Sequence, residues 1–197
     1  MMSSEVLIRV TNSIKISKAT QFEVPKMFKA VLFIDEKPFV RCESISEKNF
    51  IKEYGKEYIG KYLKIAYITT QPYLSFQWGF GNINVNNERL KEAYRVGANG
   101  KCIVEILDPI QLIKNFPSNT DITVDDIREK TLSIIKSVGI PVLASYYSQT
   151  NISIFEISSK TDEIRNKLST VLIKESALND LGIKLKDIII NGLHIND

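Results

Sequence analysis

The stretch Phe76–Asn87, FQWGFGNINVNN, holds the only tryptophan of the chain, two glycines, two phenylalanines and an asparagine-rich tail. It allows three readings: a ligand pocket, an exposed aromatic loop, or core packing punctuated by turns. Ile83 and Val85 alternate with asparagines, which is the period of a half-buried strand. A tryptophan beside glycine fits a core residue next to a turn, where glycine supplies a positive φ. Gly79 and Gly81 make only GxG, with no third glycine and no helix pattern after them, so the phosphate-cradling fingerprint is incomplete. We read Trp78 and its glycines as a turn between two strands of a sheet.

Working outward, the first half of the chain reads as strands. Residues 5–18 alternate, with Val6, Ile8 and Val10 on one side and Arg9 on the other. The apolar run Lys29–Ile34, the turn residues Asp35 to Pro38 and then Phe39 to Arg41 predict a hairpin. Lys64–Thr70 is another β-rich run, closed by Gln71 and Pro72. Leu90–Val96 and Lys101–Leu107 flank Gly97-Ala98-Asn99-Gly100, which predicts a second hairpin. The period then changes to that of a helix.

Val124, Ile127, Thr131, Ile134, Ile135 and Val138 fall on one face of a helix over 121–138. Asp125 and Asp126 stand near its positive end, and Gly139-Ile140-Pro141 is expected to break it. A second helix is predicted from Lys160 to Leu181, capped by Ser158 and Ser159, with Ile164, Leu168, Val171, Leu172, Leu178 and Leu181 on its apolar face. Gly182 stands where a left-handed C-cap belongs. Ile183–Ile190 returns to strand. This order predicts an α+β fold, with antiparallel strands and two main helices packed on them, in one domain over residues 1–197.

The composition bounds the function. The 197 residues are 44% hydrophobic and 25% charged with a net charge of +3, an ordinary globular balance. No apolar run approaches the length of a membrane span, and MMSSEVLIRV does not read as a signal peptide. A cytoplasmic chain is expected, one that reaches a membrane only by its surface or through a partner. Cys42 and Cys102 are expected as buried thiols rather than a disulfide, and with His194 as the one histidine a zinc site is not expected. His194 also lacks a neighbouring nucleophile or orienting group. No catalytic residues, metal or cofactor are therefore expected.

The best surface candidate is Lys52–Lys64, KEYGKEYIGKYLK. Lys52, Lys56, Lys61 and Lys64 interleave with Tyr54, Tyr58 and Tyr62, which at i, i+4 and i+8 would share one helical face. Such a segment suits anionic lipid headgroups or single-stranded nucleic acid. Glu53 and Glu57 dilute the charge, and Gly55 and Gly60 weaken a helix. The competing reading is a solvated loop or short helix packed by its tyrosines.

Trp78-Gly79 after an apolar strand, then Gly100 and a strand ending in Asp108-Pro109, then Leu112 to Phe116, the helix over 120–138, the helix over 160–181 and the closing Gly182-Ile183 strand form a familiar order. Over about residues 30–190 it resembles the SPFH family (stomatin, prohibitin, flotillin; band 7), and most of all its soluble virion core protein-like subgroup. Phe80 stands where that family often has threonine, and Glu105 where it often has arginine. Within the resemblance Trp78, Gly79, Gly100, Asp108, Pro109 and Gly182 are fold-defining. It implies a curved antiparallel sheet carrying the helices, and a non-catalytic scaffold that self-associates and organises membrane-associated or partner-protein assemblies. A homo-oligomer, unidentified partner proteins and peripheral contact with the inner face of a membrane follow as expectations. Arg128, Lys136, Arg165, Lys167 and Lys174 are the outward-facing candidates on the helices. The alternative is a basic module that holds nucleic acid or anionic lipid through Lys52–Lys64, of which nucleic acid is the less expected ligand.

Overall fold

The structure, a computed structural model, describes residues 5–70, 73–87, 91–117, 120–149, 156, 159–174 and 176–196. It is α+β with antiparallel pairing throughout, and the chain forms two compact units. The first comprises residues 1–72 and 108–127, the second 73–107 and 128–197.

In the first unit, strands β1 (Val6–Val10), β4 (Phe28–Ile34), β5 (Lys37–Cys42), β7 (Tyr62–Thr69) and β10 (Ile122–Thr123) form a sheet in the order β10-β1-β7-β4-β5. The short β2 (Ile14–Lys15) also pairs with β7, and β3 (Gln21–Val24) with β6 (Ile45–Asn49) makes a separate two-stranded ribbon. The expected hairpin is β4–β5. Its turn residues Asp35 and Glu36 both take positive φ, 47° and 64°, which non-glycine residues adopt only with local support. The Asp35 carboxylate supplies it by accepting the Tyr62 backbone N–H at 3.0 Å. The core gathers Phe22, Leu32, Phe50, Leu63 and Ile65 around the ribbon and one face of the sheet.

In the second unit, β8 (Leu74–Asn87), β9 (Glu92–Ile106) and β11 (Ile183–Asn196) form a sheet with β9 in the middle. The predicted second hairpin is not there. Gly97 to Gly100 lie inside β9, and neither glycine has a positive φ. Their role is close approach. A Cβ at Gly100 would overlap the Ile189 carbonyl oxygen and meet the Trp78 ring at 2.7 Å. A Cβ at Gly97 would run into the His194 ring. Trp78 is likewise no turn residue but a buried mid-strand one, paired across from Gly100. The interruption in β8 comes later, as a bulge between Phe80 and Ile83, where Asn82 has φ 54°.

The first long helix, α3 (Val124–Gln149), does not stop at Gly139-Ile140-Pro141. Buried residues recur at Ile127, Thr131, Ile135, Gly139, Leu143 and Tyr147, a stride of four that continues past the proline, with Tyr146 buried beside the last. Pro141 is on the exposed side, so the hydrogen bond it removes is lost where water can replace it. Gly139 is small because Phe80 packs there: a Cβ would lie 2.6 Å from Phe80 Cζ and 3.7 Å from a Leu168 methyl. The second predicted helix is two, α4 (Thr161–Ile173) and α5 (Ser176–Asp180), with Ile164, Leu168, Leu172 and Leu178 buried as expected. Lys160 is the N-cap of α4 and makes no side-chain cap; Ser158 lies outside the described residues, as do Gln71, Pro72 and Leu90. Gly182 does take a left-handed conformation (φ 85°) before β11, which runs on to Asn196.

These packings rank two substitutions. Gly100→Ala forces a backbone clash in the central strand and is expected to cost at least about 3 kcal/mol. Gly139→Ala meets only the edge of a ring and regains about 1 kcal/mol of helix propensity, for a net loss of about 1 kcal/mol. Urea unfolding of both variants measures the order, and the reverse order would contradict this packing.

Candidate interaction surfaces

The Lys52–Lys64 segment does not form one helix. Helix α1 (Phe50–Tyr54) starts at Asn49, whose side-chain oxygen accepts the Lys52 N–H at 3.1 Å, and ends at Gly55 with φ 115°. A single 3-10 turn over Lys56–Tyr58 follows, then Gly60 at φ 90°, then β7. The three tyrosines therefore part company. Tyr54 and Tyr58 turn inward, with ring centroids 5.3 Å and 4.9 Å from Phe39. The Tyr54 hydroxyl lies 3.5 Å from the Cys42 sulfur, and burial, followed by that hydrogen bond, raises its pKa. Tyr62 stays half exposed. The lysines divide as well. Lys64 is 5% exposed and ion-paired with Glu36, whereas Lys52, Lys56 and Lys61 face solvent.

What the fold assembles instead is a tip made from two segments. Lys15 of β2 pairs directly with Tyr62 of β7. The Ile16 N–H donates to the Lys61 carbonyl, and the Gly60 N–H to the Ile16 carbonyl. Lys15, Ile59, Lys61 and Tyr62 are thereby held together, with Ile59 42% and Tyr62 52% exposed and the Lys61 ammonium 5.0 Å from the Tyr58 ring. Lys15 was missed in the sequence because its neighbour is 47 positions away and the pairing is tertiary.

The residues read as fold-defining are structural here. Asp108 is the N-cap of α2 (Pro109–Lys114): its carboxylate accepts the Ile110 and Gln111 N–H groups and pairs with Arg41 at 3.1 Å, while Pro109 occupies the first turn, where no N–H is needed. Trp78, Gly79 and Gly100 lie in the sheet of the second unit. Asp126 is a capping residue too. It accepts from the Thr123 N–H and hydroxyl, while the Thr123 hydroxyl accepts the Asp126 N–H. His194 is exposed on β11 over Gly97. On the helices, Arg128, Lys136 and Lys174 are exposed, Arg165 pairs with Asp162, and Lys167 sits 5.2 Å from the Tyr146 ring.

Two further surfaces emerged only with the fold. Strands β8 and β11 each pair with β9 alone among the described residues, leaving two edges 14 residues long. Strand β8 carries no charged residue along its whole length. The other surface is a groove of about 330 Å³ in the first unit. It is lined by the buried Phe22, Leu63 and Ile65 with the half-buried Tyr67, by Thr11, Asn12 and Ile14, and by Gln21, Glu23 and Glu47. Burial first, and Glu23 second, raise the Tyr67 hydroxyl pKa.

A family model described as SPFH domain-Band 7 family matches residues 57–197. The chain belongs to the SPFH domain-Band 7 family. The match is to the family; the virion core-like subgroup rests on the quoted motifs alone. No curated protein matches the chain. SPFH domains have in general a scaffolding or membrane-associated role and are in general not enzymes. Among the described residues no helix is long and apolar enough to cross a membrane, and no group of three or more His, Cys, Asp or Glu side chains is placed to hold a metal ion.

Cys42 and Cys102 are both buried free thiols. Burial pushes the Cys102 thiol up to about 11, so the reactive thiolate is scarce at ordinary pH. A Cys42→Ser variant, which isolates Cys102, is expected to react with a thiol-specific disulfide reagent at pH 8 at least ~100-fold faster in denaturant than when folded. Equal rates would place Cys102 at the surface.

Proposed function

We propose that this SPFH domain is a non-catalytic scaffold that self-associates and organises membrane-associated or partner-protein assemblies. The observation that carries the reading is the outer edge of β8. An edge strand presents unpaired N–H and C=O groups, and monomeric proteins blunt such edges with charge, proline or covering elements. Strand β8 has neither charge nor proline in 14 residues, and its exposed face is built of Ser75, Gln77, Gly79, Asn84 and Asn86. It is suited to receive a strand from another chain by continuing the sheet. The bulge at Asn82 limits how long such a pairing can run.

Light scattering coupled to size exclusion, over a wide range of concentration, is expected to show a defined oligomer. Gln77→Lys with Asn84→Lys, both on the exposed face, is expected to weaken association at least ~10-fold while leaving the melting temperature within a few degrees. A monomer at every concentration would overturn the self-association reading.

The half-exposed Ile59 and Tyr62 beside Lys15 and Lys61 favour a second reading, contact with an anionic lipid surface. Apolar side chains enter the headgroup boundary while lysines meet the phosphates. Phosphatidylserine vesicles are expected to bind the protein and phosphatidylcholine vesicles not to. Lys15→Glu with Lys61→Glu is expected to lose at least ~30-fold, at about 1 kcal/mol for each lysine removed, and the buried Lys64→Met to lose nothing. Equal loss from Lys64→Met would mean that the tip is not the contact.

A further inference from the structure

We propose that the groove of the first unit binds an extended basic peptide segment, with a lysine or arginine between Glu23 and Glu47 and an aliphatic neighbour on Phe22, Leu63 and Ile65. The inference deepens the partner-holding part of the scaffold reading and rests on it.

Charge complementarity selects the occupant. The chain as a whole carries +3, yet among the described residues no lysine, arginine or histidine lines this groove. Glu23 and Glu47 stand exposed at its edge, and neither is in a salt bridge with a described cation. Four other carboxylates of the same unit do have such partners: Glu36 pairs with Lys64, Glu43 with Lys29, Glu53 with Lys48 and Asp108 with Arg41. Two uncompensated carboxylates flanking an apolar floor favour a cation that arrives on an apolar stem, which is the form of lysine and arginine side chains.

The groove's walls favour an extended backbone. Strands β2 and β3 contribute Ile14, Gln21, Phe22 and Glu23, and among the described residues each pairs on one side only, β2 with β7 and β3 with β6. Their open sides offer main-chain donors and acceptors to a further strand. An extended segment alternates its side chains, so aliphatic residues can face the floor while cations reach the edge. About 330 Å³ holds two or three such side chains, not a folded domain.

The test uses the full chain and a fluorescein-labelled peptide of alternating isoleucine and lysine, six residues long, read by fluorescence anisotropy. Binding is expected with Kd on the order of 10–100 µM. The same peptide with glutamate for lysine, or serine for isoleucine, is expected to bind at least tenfold more weakly. Glu23→Gln with Glu47→Gln is expected to weaken the lysine peptide about tenfold with an unchanged melting temperature. No binding at 1 mM, equal binding of the glutamate peptide, or indifference to the double substitution would each overturn the proposal. Spermidine competing as strongly as the peptide would make the site one for free polyamine and overturn it as well. Oligomeric state is read separately on the same variants, so a failure of self-association and a failure of the groove are distinguishable.

Discussion

The second unit depends on one close approach, that of the Ile189 backbone to Gly100 in the middle of its sheet. Strand β9 is hydrogen-bonded on both sides, and at Gly100 it meets Trp78 across one pairing and Ile190 across the other. With no Cβ there, the Trp78 ring lies down over the strand, and Phe80 stacks beside it at 4.8 Å. Phe80 in turn occupies the space that Gly139 leaves on α3, and Leu168 of α4 closes the same contact. Two missing side chains thus let one strand and two helices share a core around the only tryptophan. The Trp78 indole N–H has no hydrogen-bond partner among the described residues, so the packing of the ring is achieved at some polar cost.

The same contact explains why part of the fold was legible in the sequence and part was not. Alternation announced the second half of β8, and the 3.6 period announced the first part of α3 and α4, because burial on one face writes a local pattern; in β1 the alternation did not hold, since the adjacent Leu7 and Ile8 are both buried. Glycine carries two meanings, and only the fold distinguishes them. At Gly182 it signals a left-handed cap, as read; at Gly97 and Gly100 it signals space for another chain segment, which a Gly-Ala-Asn-Gly string cannot reveal. Pro141 misled for a related reason. A proline breaks a helix that must supply its own stability, but the burial of Leu143, Tyr146 and Tyr147 beyond it holds the helix through the defect.

The candidate surfaces were less legible still, since each depends on pairing between distant residues. The spacing of Tyr54, Tyr58 and Tyr62 suggested one helical face, but Gly55 and Gly60 both take positive φ and redirect the chain twice within six residues. Two of the three rings then serve the core, and Lys64, itself buried, is drawn into an ion pair with the exposed Glu36 of the hairpin turn. The acidic groove left no trace in the sequence. Glu23 and Glu47 are 24 positions apart and come together only because β3 pairs with β6.

The pleat of β2 and β7 relates the two surfaces of the first unit. Ile14 pairs with Leu63, and Lys15 with Tyr62, so neighbouring residues of the same two strands point to opposite faces. Ile14 and Leu63 line the apolar groove, whereas Lys15 and Tyr62 belong to the tip. A single residue step in β2 thus separates an apolar side chain at the groove from a lysine at the tip, while the carboxylates are supplied by β3 and β6. A one-residue slip in the β2–β7 register would put Lys15 against the groove and beside its carboxylates. The hydrogen bonds joining Ile16 to Lys61 and Gly60, with the Thr11 hydroxyl accepting the Ile65 N–H at 2.9 Å, fix the register at both ends of this short pairing. A two-residue strand needs that support because its own ladder is too short to specify alignment. The register, rather than the composition of the segment, is what keeps an acidic groove and a basic tip distinct in a unit this small.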